Sequence, residues 1–144
     1  MADTQNYSNH TRRYPLFHFV VMPLLVLNFL SHLVRTIMTP NLELGFWTLL
    51  SLTLILLALA SRLQALKAQD RIIRLEERIR YKELLSPEIA QRASDLPVGQ
   101  IIALRFASDE ELPELFTQVL DGKLKSNKEI KMAIKNWRGD YHRV

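Results

Sequence analysis

The chain has 144 residues, 48% hydrophobic and 24% charged, with a net charge of +4. That length holds one modest domain, or a membrane hairpin with a smaller domain attached. The lack of Cys excludes disulfides and thiolate chemistry, the scattered glycines build no phosphate-cradling loop, and the charge is too weak and mixed to point to nucleic acid, although it suits a surface of anionic lipid.

Residues 1–13 are polar and read as a flexible N-terminus, closing on Arg12 and Arg13. An apolar run follows from Tyr14 to Val34. It is too long for the apolar core of a signal peptide and lacks small-residue cleavage chemistry. With roughly 20 uncharged residues it is long enough to cross a bilayer, so a first span is predicted over about 14–37. Pro23 removes a hydrogen bond to the Phe19 carbonyl, which predicts a kink.

A second span is predicted over 44–61, with Phe46 and Trp47 at its outer edge. The connection, Arg35 to Glu43, is short, so the spans form an antiparallel hairpin over 14–61. Arg12 and Arg13 precede the first span, whereas Arg62, Lys67, Arg71 and Arg74 follow the second. The connection holds only Arg35 among the basic residues. This bias places both termini in the cytoplasm.

Four polar residues of the first span, His18, Asn28, His32 and Arg35, fall on one stripe. Polar groups inside a membrane are costly and tend to face protein. The favoured reading is interhelical hydrogen bonding, to Thr48, Ser51 or another subunit. The rival is haem ligation by His18 and His32, which helix rise puts about 21 Å apart on one face. The span has no Gly to make room for a porphyrin. No cofactor and no metal is assigned from the sequence.

From Phe46 to Leu85 no Gly or Pro interrupts the chain, which predicts one continuous helix running from the second span into a charged extension, 62–85. Ala58, Ser61, Ala65, Ala68, Ile72, Leu75 and Ile79 step by three and four. This is a seam of heptad period, read as an oligomer contact through Ala65, Ala68, Ile72, Leu75 and Ile79. Leu59, Leu63, Leu66 and Ile73 form a second apolar edge. Asp70 with Arg74 and Glu76 with Arg80 are spaced as helical ion pairs. The other charges read as a solvated face, with Arg62, Lys67, Arg71 and Arg74 forming a basic collar for lipid headgroups alongside Arg12 and Arg13.

Residues 86–144 read as a small helical head. Ser86-Pro87-Glu88 starts a helix that ends near Ser94. Asp95-Leu96-Pro97 starts another. Ser108 to Glu111 is a capping box leading into Leu112, Leu115, Phe116, Val119 and Leu120 at helical spacing, with Pro113 able to shift the start. Asp121-Gly122 ends that helix. Ser126 to Glu129 is a second capping box, and Ile130, Ala133, Ile134 and Trp137 carry the last helix to Gly139. The acidic third helix (Asp109, Glu110, Glu111, Glu114) and the basic last one (Lys128, Lys131, Lys135, Arg138) are placed to face each other, within one chain or between subunits; the alternative is that the basic helix lies on lipid or acidic partners. The closing Asp140-Tyr141-His142-Arg143 has no nucleophile–base–orienter set and reads as a docked tail rather than a catalytic site.

The runs KAQDRIIRLEERIR, ALRFASDEELPEL, IKMAIKNWRGDYHRV and NHTRRYPLFHF resemble a family of small bacterial two-span membrane proteins of unknown function. The resemblance covers nearly the whole chain. It implies a bacterial inner-membrane protein and brings no catalytic residues with it.

The sequence thus predicts an all-α fold: a two-span transmembrane hairpin whose second span continues as a long cytoplasmic helix into a C-terminal helical head. The expected role is non-enzymatic, a self-associating scaffold or assembly protein whose partners are anionic lipid and copies of itself or a larger membrane complex. The alternatives are a small accessory subunit of a respiratory or transport complex and, behind it, a dihaem b-type protein.

Overall fold

The computed structural model describes residues 5–7 and 14–140. The expected lipid contacts Arg12 and Arg13 and the closing residues from Tyr141 onward lie outside them, as does most of the flexible N-terminus. The described residues are helical throughout apart from turns, short connections and one isolated bridge. They group into two compact units, 14–66 and 67–140, the second joined by residues 5–7.

In the first unit Pro15 caps a π-helix, Leu16–Val21, which passes directly into α1, Met22–Met38. The Met22 N–H donates to the Phe17 carbonyl, five residues back. The disturbance expected at Pro23 therefore takes the form of a widened turn just before it. A proline has no N–H to give and its ring crowds the preceding turn, and an extra residue in that turn makes room for it. Thr39 ends α1 by donating both its N–H and its hydroxyl to the Arg35 carbonyl, at 2.9 and 3.0 Å.

The connection is only residues 39–41, shorter than the stretch from Arg35 to Glu43 expected. α1 runs on to Met38, and Asn41 brings the start of α2 forward. Its Oδ1 accepts the Leu44 N–H at 2.8 Å, which caps the next helix so that it begins two residues earlier than its apolar pattern suggests. α1 and α2 are then tied by the hydroxyls of Thr36 and Thr48, 2.8 Å apart.

α2 runs unbroken over Leu42–Leu84, 43 residues, or about 65 Å at helical rise. The absence of Gly and Pro after Gly45 is sufficient cause. Its first part belongs to the first unit and its charged part to the second.

In the second unit α3 spans Pro87–Arg92 and continues as a 3-10 turn, Ala93–Asp95; α4 spans Val98–Leu104, α5 Leu112–Leu120 and α6 Asn127–Ala133. The core is built on Tyr81, Ile101, Leu104, Phe106, Leu112, Phe116 and Ile130, all fully buried. Tyr81 and Phe116 meet edge to face, ring centres 5.0 Å apart. α2 meets this unit on one face, with Ile73, Glu77 and Tyr81 buried at four-residue steps and Leu85 continuing the line just past its end.

Three expectations for this unit need correction. α5 starts at Leu112 rather than at the Ser108 box. Pro113 fits only the first turn of a helix, so 109–111 remain a turn, with Ser108 Oγ accepting the Glu111 N–H at 3.4 Å. α6 opens on the expected reciprocal box between Ser126 and Glu129 but stops at Ala133, short of Trp137. The Glu111 carboxylate accepts the N–H groups of Lys135 and Asn136, both at 3.1 Å, and Arg138 N–H donates to the Phe106 carbonyl at 2.8 Å. These bonds draw the chain into an extended bridge between Ala107 and Trp137, and Trp137 lies against Phe106.

The third correction concerns charge. Within the chain the acidic and basic helices do not pair as faces. Asp109 is bound by Arg80, Arg138 approaches Glu77, and Lys131 sits over the Phe106 ring at 5.6 Å. Arg80 likewise pairs with Glu77 and Asp109 rather than with Glu76.

Candidate functional site

The charged part of α2 has two contrasting sides. One is covered by the helices around it. The other carries the predicted seam, and Ile72, Leu75 and Ile79 are 58%, 61% and 55% exposed. Ala65 and Ala68 continue the exposed line. Solvent-facing aliphatic side chains at heptad spacing, in an otherwise charged stretch, mark an unsatisfied contact surface. Beside Leu75 and Ile79 an open groove of about 600 Å³ is bordered by Arg78, Lys82, Pro87, Ala90 and Gln91.

Behind the ridge lies a network of charges that the sequence reading missed. Arg80 Nε and Nη2 donate to Asp109 Oδ1 at 2.8 and 2.6 Å, its Nη2 also to the Ala107 carbonyl at 2.7 Å, and its Nη1 to Glu77 at 3.3 Å. Arg105, buried, pairs with Asp140 at 3.0 Å and lies over the Phe106 ring at 4.3 Å. Arg138 stands 3.8 Å from Glu77. A cleft of about 430 Å³ opens between these side chains. Burial holds the Glu77 carboxyl above its ordinary value, against the pull of Arg80 and Arg138. Burial also pushes the Tyr81 phenol up, and the neighbouring Glu77 carboxylate adds to the effect. Each guanidinium is matched by a carboxylate, so the network locks parts of the fold together.

The polar stripe is divided. His32 is half-buried with its ring stacked on Trp47 at 6.3 Å, whereas His18, Asn28 and Arg35 are exposed. His18 Nδ1 lies 2.9 Å from the Tyr14 carbonyl. The interhelical bond expected at Thr48 is present, but Thr36 makes it rather than the stripe. Of the basic collar, Arg62 sits 6.0 Å from the centre of the Phe17 ring, Lys67 and Arg71 are exposed, and Arg74 is half-buried. Among the described residues no three His, Asp or Glu side chains converge as a metal site.

The whole chain, residues 1–144, matches a family of unknown function, DUF6526. The protein belongs to that family. No curated protein and no solved structure matches it.

For this DUF6526 chain one signal for the missed network was present in the sequence. Ile73, Tyr81 and Leu85 share a face with Glu77, so a carboxylate sits in the middle of an apolar stripe. Such a group needs a cation. Arg80, three residues along the same helix, is at helical spacing from it; what periodicity cannot reach is the rest of the network, the Ala107 carbonyl and Asp109 that Arg80 binds 27 and 29 positions away and the Arg138 that approaches Glu77.

Proposed function

We propose that this protein is a non-enzymatic integral membrane protein, a self-associating scaffold or assembly protein of the bacterial inner membrane. Two helices, Leu16–Met38 and Leu42–Leu84, are long and apolar enough to cross a membrane. Their apolar windows are 0% and 11% buried, which distinguishes them from the core helices of a water-soluble protein. Leu24, Leu27, Leu30, Leu49, Leu56 and Leu57 all point outward. Such a surface is at rest in lipid and unstable in water.

The Asp140 N–H donates to Gln5 Oε1 at 2.7 Å. This bond agrees with a two-span hairpin, in which the residues before the first span and after the second are on one side. The basic residues there favour the cytoplasm, with Arg62 and Lys67 at the level of anionic headgroups.

The observation that carries the scaffold reading is the exposed ridge of Ile72, Leu75 and Ile79. It lies beyond the apolar span, where lipid does not cover it, and the helices of its own unit cover the opposite side. Native mass spectrometry of the protein, gently extracted from its own membrane, tests this. A clean multiple of the 16.8 kDa chain is expected. A monomer, or a fixed complex with an unrelated larger subunit, would overturn it.

A further inference from the structure

The charged part of α2 specifies how two copies meet. We propose that residues 68–83 form a parallel, in-register, two-stranded coiled coil with the same residues of a second copy. This rests on the self-association reading and adds its register and orientation.

Placing Ile72 and Ile79 at the first core position of the heptad puts Ala68 and Leu75 at the second. Isoleucine at the first position with leucine at the other favours two parallel strands. The side chains that this chain buries on the charged part of α2, Ile73, Glu77, Arg80 and Tyr81, with Leu84 half-buried, fall on the outward positions of the same heptad. The surrounding helices thus leave the core positions open, and the groove beside Leu75 and Ile79 gives space for a neighbouring helix.

The flanking charges select the partner. Arg71 and Arg78 precede Ile72 and Ile79, while Glu76 and Glu83 follow Leu75 and Lys82. In a parallel pair each arginine meets the glutamate five residues further along the other strand. Arg71 then faces the partner subunit's Glu76, and Arg78 the partner subunit's Glu83. In an antiparallel pair arginine would meet arginine and glutamate would meet glutamate. All four side chains are exposed, and none takes part in the ion pairs found among the described residues. Lys82, at the next core position, ends the apolar run. Two copies anchored by the same unbroken helix in one membrane also start out parallel.

The chain has no Cys, so single cysteines report cleanly in full-length protein in its membrane. Ala68→Cys and Leu75→Cys, one heptad apart, are each expected to cross-link to themselves; antiparallel strands can bring at most one of them into register. In the Leu75→Cys background, Arg71→Glu with Arg78→Glu is expected to lower cross-linking roughly tenfold, as is Glu76→Arg with Glu83→Arg. Co-expression of the two charge-reversed chains restores it, which also shows that both chains fold. Undiminished cross-linking in either reversed chain, absence of rescue, or a link at only one cysteine would overturn this register. A dimer mass with neither link keeps the scaffold reading and removes the coiled coil, whereas a monomer mass removes both.

Discussion

Arg80 and Asp109 are joined twice, Nε and Nη2 of the guanidinium converging on the same carboxylate oxygen at 2.8 and 2.6 Å. The arginine is buried on α2, and the aspartate is exposed in the turn before α5. The same guanidinium satisfies the Ala107 carbonyl and the buried Glu77. Arg80→Met is expected to destabilise the unit by about 3 kcal/mol, because it leaves the buried Glu77 with only the more distant Arg138 and the buried Ala107 carbonyl without its donor. Asp109→Asn removes only an exposed charge and should cost about 1 kcal/mol or less. Thermal unfolding of the two variants checks the contrast.

Glu77 makes the stability of the same network depend on pH. Its folded value lies above the ordinary 4.5 because burial disfavours the carboxylate. An acid raised in the fold costs stability when ionised, and that cost is relieved as pH falls through its folded value toward 4.5. Glu77→Gln cannot ionise. The difference in melting temperature, variant minus wild type, should therefore become more positive as pH is raised from 4.5 to neutral. A difference independent of pH would contradict the shift.

The capping box at the start of α6 behaves oppositely. The Lys125 and Ser126 N–H groups, donating at 2.8 and 3.2 Å, hold the Glu129 carboxyl below its ordinary value. Its contribution is present above pH 4.5 and is lost as pH falls through the lowered folded value. Glu129→Gln should flatten that acid limb. Ser126→Ala, which removes the other half of the box, should cost about 1 kcal/mol near neutral pH, read from chemical denaturation.

A Cβ on Gly99 would come within 2.6 Å of Asn127 Nδ2. Gly99→Ala should thus push α4 from the start of α6, and Asn127→Gly should relieve it. A double-mutant cycle is expected to give a coupling of roughly 1 kcal/mol. Additive effects would mean that the Asn127 side chain swings clear.

The hairpin offers a separate test. Thr36 and Thr48 form the hydroxyl bond between α1 and α2. Interhelical bonds of this kind contribute about 0.6 kcal/mol in a membrane. Paired valine substitutions, followed by unfolding in mild detergent, should return a coupling of that size.

The helices were legible where one face or one breaker decides them. The unbroken α2 follows from a stretch without Gly or Pro, the end of α5 from Asp121-Gly122, and the start of α6 from Ser126 and Glu129. What escaped the sequence was decided across the chain. Trp137 keeps helical spacing with Ile130 and Ile134, yet Glu111 and Phe106 draw its neighbours into an extended bridge. The ridge at Ile72, Leu75 and Ile79 was visible as periodicity. The arginine and carboxylate partners behind it were not, because spacing along one helix carries no information about which residue of another element will arrive there.

The bond between Gln5 and Asp140 joins positions 135 residues apart. Gln5 thus leaves the ribosome well before Asp140, which forms part of its docking site, has been made. At about 5–20 residues per second the wait is on the order of ten seconds. Through that interval the opening segment lacks this anchor while the hairpin is already emerging. A chain interrupted before Asp140 would lose a fastening for the segment around Gln5.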